Sequence, residues 1–176
     1  MTEYLKRMAQ YNQWMNRRLH NKVQLLSSEE IAKDRGAFFT SILGTLNHLL
    51  VADMFWLRRF SGSKVCKDVL APIREMVMPT ALHDMLYDDI KVLASKREEL
   101  DQLILSFAET WDETMLVEPI HYRNMAGEKY EKKLGALLQH LFNHQTHHRG
   151  QVTTLLFQAG IDPEVTDLLA MMMEEG

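Results

Sequence analysis

The sequence predicts an all-α protein, a four-helix bundle with a crossover insertion and a small β-hairpin. Three observations carry this expectation. Apolar residues recur at three- and four-residue spacing through four long stretches. Prolines and glycines number only four and eight in 176 residues, which suits long helices better than many turns. One short stretch before the last long helix alternates as a strand pair does. A chain of this length can bury a core without covalent staples, and residues 1–176 are expected to form one domain.

Residues 4–26 read as the first helix, with Leu5, Met8, Tyr11, Met15, Leu19 and Val23 in phase, and Ser27-Ser28-Glu29-Glu30 breaks it. Residues 38–60 read as the second, apolar around much of its circumference and so packed on several sides, with Ser61-Gly62-Ser63 as its stop. The segment up to Pro79 reads as an ordered loop. Pro79-Thr80 then opens a third helix over about residues 82–108, with Met85, Ile90, Leu93, Leu100, Leu103 and Ile104 inside. Ile120 to Arg123 alternates, Asn124 to Gly127 can turn, and Lys129-Tyr130 can return as a second strand. The fourth helix spans residues 132–159 and ends at Gly160, ahead of Asp162-Pro163. A last short helix is expected within residues 162–175. No heptad persists, so a coiled coil is the weaker alternative.

Composition narrows the function. The chain is 46% hydrophobic and 25% charged, as soluble globular proteins are. A net charge of −4 without a long basic run argues against nucleic acid as a partner. The N-terminus lacks an apolar signal core, and no stretch approaches the ~18 apolar residues of a membrane span, so the cytoplasm is the expected compartment and no membrane partner is expected. A single cysteine, Cys66, excludes an internal disulfide, and without an identifiable His or Asp partner it reads as a bystander. The run Met171-Met172-Met173 reads as core or interface packing rather than a soft-metal site.

Half of the eight histidines lie within residues 140–148. A helix turns about 100° per residue, so their directions follow from the wheel. Leu134, Leu137, Leu141, Val152, Leu155 and Ala159 mark the core face. His148 falls near its middle, His144 on its flank one turn earlier, and His140 at its margin. His147 points roughly 120° away from the core direction. His144 and His148, at i and i+4, are therefore the inward pair, able to reach one ion. A third ligand belongs on a facing helix, and His48 is the candidate. It shares a stripe with Ser41, Thr45 and Ala52, which either leaves room for a ligand cavity or simply faces water. His20, His83 and His121 stand alone and read as surface or hydrogen-bonded histidines. HExxH is absent, so the zinc-protease reading lacks its general base. Gly150, inside a helix, costs about 1 kcal/mol against alanine. Close approach of another backbone would explain it, with Arg149 beside it paired to a buried acid such as Asp53.

Several stretches in order resemble the DinB family: YNQWMNRRL in the first helix, LNHLLVADMFWLRRF in the second, the Asn- and Gly-containing hairpin, and LFNHQTHHRGQ in the fourth. The resemblance covers nearly the whole chain. It implies a four-helix bundle with a divalent metal, zinc or nickel, held by His48, His144 and His148. Asp53 and Trp56 also match positions of the second-helix pattern. It further implies a homodimer, to which the apolar run at residues 168–173 lends independent support. The expected function is transfer of a low-molecular-weight thiol to an electrophile in stress or detoxification. The alternative is a non-catalytic metal-binding bundle acting through a protein partner in a stress response.

Overall fold

Four long helices make the bundle of the computed structural model, which describes residues 1–174: α1 (Thr2–Val23), α3 (Ile42–Phe60), α5 (Ile90–Glu109) and α7 (Leu134–Gln158). Short helices α2 (Ser28–Ala32), α4 (Ala71–Glu75), α6 (Glu113–Leu116) and α8 (Leu168–Glu174) fill the connections. Strands β1 (Pro119–Arg123) and β2 (Lys129–Lys133) form the antiparallel hairpin, with Tyr122 opposite Tyr130. Its turn is closed by Asn124 Oδ1, which accepts from the backbone N–H of Ala126 and Glu128. α1 packs on α5 and α7, and α3 packs on the same two, so α1 and α3 lie across the bundle from one another. α3 is buried at every position from Ile42 to Met54, as its all-round apolar sequence requires.

The centre of the bundle is polar. Asp53 of α3 accepts from Arg97 of α5 at 2.8 Å and from Gln145 of α7 at 2.6 Å. Asp101 of α5 accepts from Asn12 and Asn16 of α1, each at 3.1 Å, and lies 2.9 Å from Arg97 Nη2. Arg149 of α7 donates to Asn12, which closes the circuit through all four long helices. Two carboxylates thus face two guanidiniums, all buried. Burial pushes the carboxyls of Asp53 and Asp101 up, and Arg97 pulls both down. Burial also lowers Arg149 to about 10, which leaves it charged at neutral pH.

Several boundaries differ from the sequence reading. The second long helix begins at Ile42 rather than at residue 38, because Ser41 caps it by accepting from Gly44 N–H at 3.0 Å. The third begins at Ile90, capped by Asp89, and Met85 is 52% exposed instead of inside. Pro79-Thr80 opens no helix: Asp84 takes the N–H groups of Thr80 and Ala81 into a local turn. The loop after Phe60 contains α4, and α2 and α6 were not anticipated. The last helix starts at Leu168, and residue 175 of its expected range lies outside the described residues. Met171 is 2% exposed, whereas Leu169 and Met173 are 62% and 74% exposed.

The partner expected for Arg149 is also corrected. Asp53 bonds to Arg97 and Gln145, while Arg149 bonds to the Asn12 amide. Gly150 is not explained by a close approach, since a Cβ there would meet nothing of the described residues within 4 Å. At Gly44 a Cβ would lie 2.1 Å from the carbonyl oxygen of Phe39. His20 is buried, its Nδ1 without a partner among the described residues, whereas His83 and His121 are at the surface.

Two glycines of opposite character follow. Gly150→Ala is expected to raise stability by about 0.5–1 kcal/mol, since it removes a flexible residue from a helix without a clash. Gly44→Ala is expected to lower it by roughly 1–3 kcal/mol, through forced displacement of the preceding turn. Urea midpoints of the two variants check both signs; a destabilised Gly150→Ala would mean that an unseen neighbour occupies that face.

His20 gives a pH dependence. Burial, with Arg97 acting in the same direction, lowers its pKa from 6.5 to about 3. Between these values the unfolded chain binds a proton that the folded chain does not, so stability falls as pH drops below about 6.5. His20→Gln should therefore lose roughly 2 kcal/mol less than the parent between pH 7 and pH 4.5. Equal losses in denaturant titrations at the two pH values would rule out this role.

Candidate metal centre

α3 and α7 run antiparallel, and they bring three histidines together. His48 lies on α3, with His144 and His148 one turn apart on α7. One ring nitrogen from each falls within 4.8 Å of the others. His48 Nε2 and His144 Nε2 are 3.1 Å apart. The ambiguity at His48 resolves toward the interior, because it is 5% exposed. His148 is 9% exposed and His144 is half-buried, so the cluster opens at the bundle surface along α7.

Two of the rings are fixed from behind. His48 Nδ1 lies 2.9 Å from the carbonyl oxygen of Leu82, an acceptor only, so Nδ1 carries the hydrogen and Nε2 presents a lone pair. His148 Nδ1 lies 2.7 Å from Gln151 Oε1, with the same consequence. Gln151 turns its amide nitrogen to His147 Nε2 at 3.3 Å. His147 is exposed and outside the cluster, as the wheel predicts, but touches it through Gln151. His140 is exposed too, its ring 6.1 Å from that of His144.

The electrostatics favour neutral rings. Burial lowers the pKa of all three histidines, and His144 falls to about 3 because His148 and His48 also oppose its protonation. Neutral imidazoles with lone pairs turned to a common point are the donor set that a divalent ion of the zinc class takes, so these three residues could hold a metal ion. Three protein donors leave at least one coordination position open.

The sequence profile of the DinB family matches residues 1–175. The chain belongs to the DinB family. Protein DinB of Bacillus subtilis (strain 168) is 28% identical over 172 residues, which cover 95% of this chain and 92% of that relative. In this DinB-family chain the two matched positions of the second-helix pattern serve different ends. Asp53 belongs to the central polar network, and Trp56 packs its ring on His140 at 5.1 Å.

Several residues around the cluster have no motif to announce them. Phe39 stacks on His48 with ring centroids 3.8 Å apart and meets His148 edge-on at 5.5 Å. It sits in a tight turn in which Gly36 and Thr40 have φ of 68° and 61°, and Thr40 N–H donates to Ala37 O. A β-branched residue at such a φ is strained, and the turn's hydrogen bonds, Thr40 N–H to Ala37 O and Arg35 N–H to Thr40 O, offset that cost where the turn places Phe39 over the histidines. Asn47, fully buried, clasps Tyr87 by both its N–H and its carbonyl, at 3.0 and 2.9 Å. That clasp steadies the loop that offers Leu82 to His48. Gln151, three residues after His148, was findable from helix spacing alone. Cys66 is buried, and burial pushes its thiol up to about 12, so it supplies no nucleophile. Clefts of about 240 Å³ between α3 and α5, and about 620 Å³ between α1 and α7, are lined by other residues than the three histidines.

Asn47→Ala should release the loop and free the back of His48. The expected result is faster amide exchange at Tyr87, together with a loss of roughly 1–3 kcal/mol for the polar groups left unpaired. Unchanged protection at Tyr87 would show that the loop is held by other contacts.

Proposed function

We propose that the protein is a divalent-metal-dependent enzyme that transfers a low-molecular-weight thiol to an electrophilic substrate, with the metal held by His48, His144 and His148. The observation that carries this reading is the convergence of three ring nitrogens, two of them turned inward by hydrogen bonds on their far side. Zinc or nickel suits imidazole donors. Such an ion, when bound, supplies Lewis acidity that favours deprotonation of a sulfur or oxygen nucleophile near neutral pH. The chain does the rest. Leu82 and Gln151 hold two rings in one tautomer, and Phe39 covers His48 and His148 against water. The half-buried edge at His144 is the side from which a small molecule can enter.

The competing reading is a metal-binding bundle that acts through a protein partner in a stress response. Neither cleft is lined by any of the three histidines, which favours it, although the larger one reaches His140. A screen of thiols against the metal-loaded protein separates the two readings. A thiol that raises the melting temperature only when metal is present supports the enzyme, because ligands that bind the native state stabilise it. No response to any thiol supports the partner reading.

Zinc or nickel titration tests the centre itself. His48→Ala, His144→Ala and His148→Ala should each weaken binding at least ~100-fold, since two donors remain where three were needed. His147→Ala reaches the centre only through Gln151 and should cost ~10-fold or less. Metal content that survives all three substitutions together would overturn the assignment.

A further inference from the structure

Farther along the α3–α7 seam from the three histidines, toward the C-terminus of α3, stands a cation that has no ion-pair partner among the described residues. Arg59, in the last turn of α3, is half-buried. Its guanidinium carbon lies 4.6 Å from the ring centre of Trp56 and 5.4 Å from that of Tyr122 in β1. Among the described residues no carboxylate lies within ion-pair distance of it, and none of its side-chain nitrogens has a hydrogen-bond partner. The other sheltered arginines are engaged: Arg18 with Glu164, Arg35 with Glu30, Arg97 with Asp53, and Arg149 with Asn12. Trp56 and Tyr122 meet edge-to-face with ring centroids 5.4 Å apart, so the guanidinium packs against the corner that the two rings form together. Burial lowers its pKa, as expected of a guanidinium shielded from water and lacking an anion.

The position is connected to the metal centre. Trp56 packs on His140 at 5.1 Å, and His140 packs on His144 at 6.1 Å, one turn along α7. Tyr130 stacks on Tyr122 at 5.7 Å and extends this aromatic wall onto the hairpin. We propose that Arg59 is an anion-binding residue of this site, and that it receives a carboxylate at the far end of a molecule whose thiol lies at His48, His144 and His148. The guanidinium fork matches a carboxylate in two parallel hydrogen bonds. The separation sets the ligand's size: two to three turns of helix, on the order of 10–15 Å, so a molecule of short-peptide length rather than a free cysteine. The inference rests on the metal-centre reading above. A cation at a helix C-terminus also complements the helix dipole. That accounts for the charge, but not for a half-buried guanidinium packed against two rings with no acceptor among the described residues.

The test uses the zinc-loaded protein and two matched probes, mercapto-octanoate and mercapto-octanol, titrated calorimetrically. The acid is expected to bind about tenfold tighter than the alcohol. Arg59→Met, which keeps the stacking length without charge, should abolish that preference while zinc affinity stays within about twofold. Arg59→Lys should retain part of it, having the charge but not the fork. Mercaptopropionate, too short to span the seam, should show no preference over mercaptopropanol. Equal binding of the two long probes to the parent protein, or a preference that survives Arg59→Met, overturns the inference while leaving the metal centre standing. A parent protein that fails to bind zinc overturns the metal-centre reading, and this inference falls with it.

Discussion

The buried circuit of Asn12, Asp53, Arg97, Asp101, Gln145 and Arg149 constrains everything else in this bundle. Apolar side chains can slide past one another at modest cost, whereas a buried charge that loses its partner costs several kcal/mol. Each of the four long helices contributes at least one member, so none can shift by a turn or rotate without stranding a charge. Gln145 and Arg149, at i and i+4, fix the rotation of α7. His144 and His148 each precede one of these residues, so the same rotation turns both rings toward α3. The centre is thus oriented by a network that contains none of its own residues.

That network is not perfectly satisfied. Among the described residues Asp53 Oδ1 and Arg97 Nε find no partner, and Arg97 Nη2, though close to Asp101, makes no hydrogen bond. An apolar core of similar volume would often be as stable or more so. What the polar circuit adds is a single register, because half-satisfied alternatives are costly. A site that needs three ring nitrogens within a few ångströms depends on such a register.

Around the histidines, preorganisation comes from irregular backbone. The crossover between α3 and α5 supplies Leu82 and is itself clasped by Asn47, the residue before His48. The strained turn before α3 supplies Phe39. Gly44 makes room for that turn. Loops thus aim and cover side chains that rigid helices carry, a division of labour common at functional sites.

The sequence by itself determined the helices, the hairpin and the inward pair on α7. These are legible because helical phase is a local property, set by about 100° per residue and by which residues are apolar. His48 was a candidate by position, and the motifs in order tied it to the pair. Only the tertiary structure decided its direction, since a wheel cannot say which flank of a helix meets a neighbour. The same limit hid Gln145 and misassigned the partner of Arg149, because the groups they bond to lie on helices distant in sequence. The start of α5 was misplaced for a related reason: residues 80–88 carry helix-compatible side chains, but Asp84 takes the N–H groups of Thr80 and Ala81, His48 meets the carbonyl of Leu82, and Asn47 binds the backbone of Tyr87. Local pattern fixes what a segment can form, and competition for its hydrogen bonds by the rest of the chain decides what it does form.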